Sequence, residues 1–147
     1  MKHFLFIALS VITFTACGQQ QNSTKKTNQQ SENFNTEKNM EDIAKPVKAL
    51  IEAMQAEDAQ AIRAQFSDKA TQAYGADGAM KTAAETYKWI QTDIIDRKGK
   101  VANPKIEIIS GNEVVVTGQY SSIGYTNKAN FLFTVKDGLI TSWRMRY

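Results

Sequence analysis

Apolar and polar residues alternate most regularly near the C-terminal end, where EVVVTGQYS and KANFLFTVKDGLITSWRMRY carry most of the large apolar side chains. Alternation with period two sends successive side chains to opposite faces of a strand. Asp137-Gly138 separates Val135-Lys136 from Leu139-Ile140, which predicts a two-residue type I′ hairpin, because that turn needs positive φ at both positions. Counting outward pairs Lys136 with Leu139, Val135 with Ile140, Phe133 with Ser142, Phe131 with Arg144 and Ala129 with Arg146. Leu132, Thr134, Trp143, Met145 and Tyr147 then share the other face. Val114, Val116, Gly118 and Tyr120 alternate with Val115, Thr117 and Gln119, giving a preceding strand joined through a loop from Ser121 to Asn127. Val101 to Ile109 reads as a fourth strand ended by Ser110-Gly111-Asn112. Pro104 cannot donate to a ladder, so it marks the start or edge of that strand. The expected sheet is a four-stranded antiparallel meander, partly apolar on both faces. Such a sheet needs helices on one face and a bend or a partner subunit on the other.

Upstream the period changes. Ile43, Val47, Leu50, Ile51 and Met54 follow helical spacing, with Pro46 better placed in a first turn than in an interior, so the helix should begin near Ala44 or kink there. Asp58 is a suitable N-cap for a second short helix containing Ala61, Ile62 and Phe66. Tyr74-Gly75-Ala76-Asp77-Gly78 reads as a loop. A third helix follows, with Met80, Ala83, Ala84, Tyr87, Ile90 and Ile94 on one side and Trp89 off that stripe, stopped at Gly99 after Arg97 and Lys98.

The N-terminal segment has a different character. Met1 to Ala16 opens with Lys2 and continues as a 13-residue apolar run from Phe4 to Ala16. A transmembrane helix needs about 20 residues, so residues 1–16 read as a signal peptide. The sequence FTAC, ending in Cys17, resembles a bacterial lipobox, with small residues before the cysteine and Phe14 where leucine is usual. The resemblance implies lipidation of Cys17, a lipid anchor on a membrane of the bacterial cell envelope, and no choice between inner and outer membrane. Cys17 is the single cysteine, so no intrachain disulfide can form. Residues 17–39 follow as the lipidated cysteine and a polar tether, with Phe34 alone apolar from Gly18 to Asn39. Composition of this kind predicts disorder, with an end-to-end reach on the order of 25 Å. The remaining chain, residues 40–147, is expected to form one domain.

Charge narrows the function classes. The chain has 18 basic and 15 acidic residues; losing Lys2 with the leader leaves 17 against 15, a net charge of +2. That balance, without a basic run interleaved with aromatics, argues against nucleic acid. His3 is the single histidine and leaves with the leader. The mature chain therefore carries no imidazole base, His-bearing metal site or Ser-His pair, and neither metal nor cofactor is expected.

VKALIEAMQAEDAQAIRAQFSD, Val47 to Asp68, resembles the opening of nuclear transport factor 2-like domains, including the SnoaL-like branch: a helix, an acidic turn, and a second helix ending in Phe-Ser-Asp. NFLFTVKDGLITSWRMRY resembles the final hairpin of the same family, with Trp143-Arg144 matching its aromatic-Arg pair. The resemblance implies an α+β fold, a cone-shaped curved antiparallel sheet of about four strands closed by three N-terminal helices. It also implies an internal pocket and dimerisation through the outer sheet face. With the pairing above, Val116, Tyr120, Phe131, Phe133, Ile140 and Arg144 would line the concave side, and Leu132, Trp143, Met145 and Tyr147 the convex side. An arginine on an apolar inward face must find a carboxylate, backbone carbonyls or a ligand anion. Arg144, Tyr120, Phe131 and Tyr87, with Trp89 at the rim or a helix interface, are thus the candidate ligand-binding residues, each with ordinary packing as the competing reading. Carboxylate-based enzymes of this family point to Asp93, Asp96 and Arg97, which a solvated helix end also explains. Two functions remain open: a membrane-anchored domain that binds a small molecule or protein partner without catalysis, and a small envelope enzyme using a pocket carboxylate and tyrosine. Scaffolding through the convex sheet is a third.

Overall fold

The computed structural model describes residues 23–146, with side chains from Met40 onward. The leader, Cys17 and Tyr147 lie outside the described residues. Helix α1 (Ser23–Ala56) and helix α2 (Ala59–Ala64) precede strand β1 (Phe66–Tyr74). Helix α3 (Ala83–Trp89), with a π-helical continuation over Ile90–Ile95, leads into β2 (Lys100–Ser110), β3 (Glu113–Ser122), β4 (Tyr125–Lys136) and β5 (Leu139–Met145). The sheet has five strands in the order β1-β5-β4-β3-β2. The α+β class with a curved sheet covered by helices matches expectation; the strand count does not.

The missing strand is β1, which pairs parallel with β5. Phe66 was expected to close the second helix, but that helix ends at Ala64 and Phe66 opens the strand. Its N-terminus is as anticipated: Asp58 accepts a bond from the Ala61 amide at 2.9 Å. Ser67, Asp68 and Lys69 place three polar residues at the start of β1, where no alternation could be seen. The loop expected from Ser121 to Asn127 is instead a tight turn at Ile123-Gly124, with Ser122 opposite Tyr125 and Gly124 at φ 77°. Pro104 does lie in an edge strand, beside a register shift between Ala102 and Lys105. Gly118 faces that irregularity at φ 153°, and a Cβ there would meet the Ala102 carbonyl oxygen at 2.7 Å. Glycine lets the distorted edge press against β3.

Helix α1 starts well upstream of Ala44, where a start or a kink was expected. Residues 23–39, read as disordered, are the first half of a 34-residue helix, and Pro46 lies inside it. Between Gln19 and Lys45 there is neither glycine nor proline, so a helix nucleated downstream propagates at little cost. At Pro46 the lost backbone bond, about 3 kcal/mol, is offset by burial of Ala44, Val47, Leu50, Ile51 and Met54, at about 1.5–3 kcal/mol for each large side chain.

The main correction concerns β5. Val135 pairs with Ile140, but the next pairs are Thr134 with Ser142, Phe133 with Trp143, Leu132 with Arg144 and Phe131 with Met145. Thr141 is the extra residue of a β-bulge, and one extra residue exchanges the faces of everything beyond it. Trp143 and Met145, assigned to the convex side, are therefore buried under the helices with Phe131, Phe133, Val114 and Val116. Arg144 moves to the outer face. Arg146, expected opposite Ala129, instead donates its amide to the Asn130 carbonyl at 2.7 Å.

Candidate functional site

The axis of the cone is filled. Trp143 is 1% exposed, with its ring centroid 4.9 Å from Trp89, 4.9 Å from Phe133 and 5.2 Å from Phe131. Phe66 stacks on it at 6.1 Å. The space that a pocket would take deep in the cone is occupied by aromatic carbon.

At one end the packing opens into a cavity of about 240 Å³ lined by Tyr74, Asp93, Arg97, Tyr120, Ser122 and Tyr125. Tyr120 reaches it from β3, and its ring packs on Phe131 at 5.7 Å and Tyr125 at 6.1 Å. Its hydroxyl donates to the Asp93 carbonyl at 3.3 Å. Gly99 makes room for this phenol, because a Cβ there would lie 2.7 Å from the Tyr120 hydroxyl oxygen. Tyr74 comes from the end of β1 and meets Trp89 edge-on at 6.2 Å. Burial raises the pKa of both Tyr74 and Tyr120 above the ordinary phenol value, and the Asp93 carboxylate adds to the shift in each. Both remain neutral donors at physiological pH.

The Asp93 carboxylate accepts from the Thr92 hydroxyl at 2.8 Å and pairs with Arg97 at 3.6 Å. Arg97 also anchors the β3–β4 turn: its Nε donates to the Ile123 carbonyl at 3.2 Å, and its own carbonyl accepts from the Ile123 amide at 2.8 Å. The mouth is thus an aromatic ring of phenols with one carboxylate that is already engaged. Asp96 stays outside, held by the Gln91 amide. Among the described residues no group of three or more His, Cys, Asp or Glu could hold a metal.

The five residues singled out as ligand-binding do not form one site. Tyr120 stands at the mouth, and Phe131 and Trp89 lie behind it in the core, each less than a tenth exposed. Tyr87 is 61% exposed and turns away. The phase of α3 explains the exchange of Tyr87 and Trp89. Thr82 and Glu85 form a capping box that starts the helix at Ala83, leaving Met80 outside, and the buried stripe is Thr86, Trp89, Ile90 and Ile94. Arg144 is engaged by backbone carbonyls. Its guanidinium donates to the carbonyls of Gly75 at 3.3 Å, Ala76 at 3.0 Å and Gly78 at 2.8 Å, with Met80 Sδ at 3.2 Å. Tyr74, Ser122 and Tyr125 were missed. The first sits on the unrecognised strand, and the others flank a turn read as a long loop, where Ile-Gly was the usable signal.

Comparison with solved structures places the architecture. A protein of unknown function from Cytophaga hutchinsonii, described as NTF2-like, superposes with a TM-score of 0.58 at 22% identity, covering 69% of this chain and 86% of that one. The fold is nuclear transport factor 2-like. RV0760c from Mycobacterium tuberculosis, in complex with estradiol-17beta-hemisuccinate, gives a TM-score of 0.59 at 19% identity over 72% and 93% of the two chains. A Delta 5-3-ketosteroid isomerase from Mycobacterium sp. gives 0.59 at 17% identity over 72% and 92%. No family model matches the sequence, and no curated protein does.

Proposed function

We propose that this chain is a lipid-anchored protein of the bacterial cell envelope whose domain binds a small molecule at the cone mouth without transforming it. The observation that carries this reading is the pairing of a filled axis with an open, tyrosine-lined mouth. At about 240 Å³ the mouth is smaller than the 300–1,000 Å³ of common ligand pockets. It suits a flat compound of one or two rings bearing hydroxyl or carbonyl groups, held by Tyr74, Tyr120 and Tyr125. The complex of RV0760c with estradiol-17beta-hemisuccinate supports a ring system as the ligand class. A second reading keeps Asp93 and Tyr120 as the carboxylate and phenol of an isomerase or hydrolase. Their shared place in the cavity and the isomerase neighbour favour it.

The anchor reading rests on the lipobox-like FTAC and on Cys17. From Ser23 to Met40 a helix rising about 1.5 Å per residue spans about 25 Å, enough to serve as a spacer. The outer sheet face presents buried Val115 and half-buried Leu132, and a homodimer through this face is part of the proposal. Sedimentation of Leu132→Glu against the parent would show it as a shift to monomer.

Native mass spectrometry of the protein, taken gently from its own host's envelope, provides the test. A retained compound recovered unchanged, weakened by Tyr120→Phe and Tyr125→Ala, is the expected result. An empty protein would remove the binding reading; a bound compound converted by the parent and not by Asp93→Asn would replace it with the enzymatic one. Cys17→Ser should move the protein from the membrane to the soluble fraction.

A further inference from the structure

A second cavity lies between α2, β1 and α3, away from the mouth. It measures about 60 Å³, and Phe66, Ala70, Ala83 and Ile90 supply its apolar walls. Thr86 also lines it. That side chain is 1% exposed, and its hydroxyl has no hydrogen-bond partner, not even the carbonyl one turn back. A buried hydroxyl without a partner is disfavoured by its full desolvation. A polar group inside the cavity would relieve it.

The rim carries opposite charges that do not neutralise each other. Arg63 and Asp68 both line the cavity, yet among the described residues neither takes part in an ion pair. Arg63 is held in place: its guanidinium carbon sits 4.9 Å above the Tyr87 ring, and NH1 donates to the Tyr87 hydroxyl at 3.5 Å. This explains why an exposed tyrosine stands there. Ser67 Oγ accepts from the Lys69 amide at 3.1 Å, so its proton remains available to an acceptor.

We propose that this cavity binds a small α-amino acid with a short hydroxylated side chain, of the serine or threonine type. The carboxylate meets Arg63 and the Ser67 hydroxyl, the ammonium group meets Asp68, and the side chain enters between Phe66 and Ile90 to hydrogen-bond Thr86. The buried Thr86 hydroxyl and the two rim charges outside any ion pair then each have a complement, and the small volume excludes longer side chains. A simple anion would leave Asp68 beside it as a repulsive charge, and an apolar side chain would leave Thr86 unpaired.

The test is an NMR titration of the whole chain with L-threonine, following the amides of Phe66, Thr86 and Ile90. Saturable shifts are expected at millimolar threonine. L-valine, isosteric but without the hydroxyl, N-acetyl-L-threonine and L-threoninamide should each bind about tenfold more weakly, the loss that accompanies one missing charge-assisted or buried hydrogen bond. Arg63→Gln and Asp68→Asn, both partly or fully exposed, should weaken threonine to a similar degree. Thr86→Val should erase the preference for threonine over valine, and Ala83→Leu should close the cavity. Unmoved resonances at millimolar threonine would overturn the assignment. Equal binding of threonine and valine by the parent would overturn it too.

Discussion

Arg144 shows how one side chain can be read correctly in kind and wrongly in place. A charge among apolar neighbours had to find a carboxylate, a ligand anion or backbone carbonyls, and it found the carbonyls of Gly75, Ala76 and Gly78. It serves as a staple that fixes the turn between β1 and α3, and that turn carries Tyr74 to the mouth. Arg144→Met should destabilise the domain by about 2–3 kcal/mol, since three carbonyls lose a charged donor and water replaces it incompletely. Arg144→Lys should recover only part, because an ammonium lacks the planar fork. Urea unfolding gives the magnitude. Hydrogen exchange at Lys81, whose amide donates to the Gln72 carbonyl at 2.7 Å across the same turn, should quicken in both variants. Unchanged exchange there would dissociate Arg144 from the turn.

At the scale of elements, one residue separates the hairpin that was foreseen from the one that forms. Lys136 opposite Leu139 and Val135 opposite Ile140 follow from Asp-Gly alone, and the turn chemistry was legible. The bulge at Thr141 was not, because no glycine marks it; it is selected by what it does for Trp143, the centre of the core. Deleting Thr141 removes the unpaired residue and leaves Ile140, Ser142 and Trp143 opposite Val135, Thr134 and Phe133 in unbroken succession, so Trp143 still points inward. The burial of that tryptophan, about 3–5 kcal/mol against roughly 5–15 kcal/mol for an ordinary domain, is kept. The deletion variant should therefore retain its near-ultraviolet circular dichroism and a blue-shifted tryptophan emission. A lost near-ultraviolet signal with red-shifted emission would mean that the strand does not close up on these pairs. The same logic explains β1. Its parallel partner is some 70 residues distant in sequence, so its pairing is non-local and leaves little trace in a window of sequence. In α3 the period was legible but its phase was not, since Thr82 rather than Met80 begins the helix. That phase decides that Trp89 is core and Tyr87 surface, and with it most of the error in the candidate site.

For the molecule as a whole, the question is what joins the helical layer to the sheet beyond apolar packing, and Glu57 supplies a polar answer. It sits between α1 and α2 at φ 56°, and its carboxylate pairs with Lys98 at 2.8 Å and Lys100 at 2.7 Å, where the chain enters edge strand β2. The bonds from Lys100, then Lys98, lower its pKa from 4.5 to about 2. A carboxylate depressed in the folded state stabilises above its unfolded pKa, and that contribution is lost as the pH falls toward the folded value. Thermal midpoints of the parent and of Glu57→Gln should differ at neutral pH, hold that difference down to about pH 4.5, and converge by about pH 2. Glutamine keeps the length and backbone conformation of glutamate, and the other acidic residues titrate alike in both proteins. The narrowing gap therefore belongs to the clamp. Salt should shrink the neutral-pH difference, because the pair lies at the surface and is screened. A gap that stays constant from neutral pH to pH 2 would mean that the helices are held to this sheet edge by packing alone.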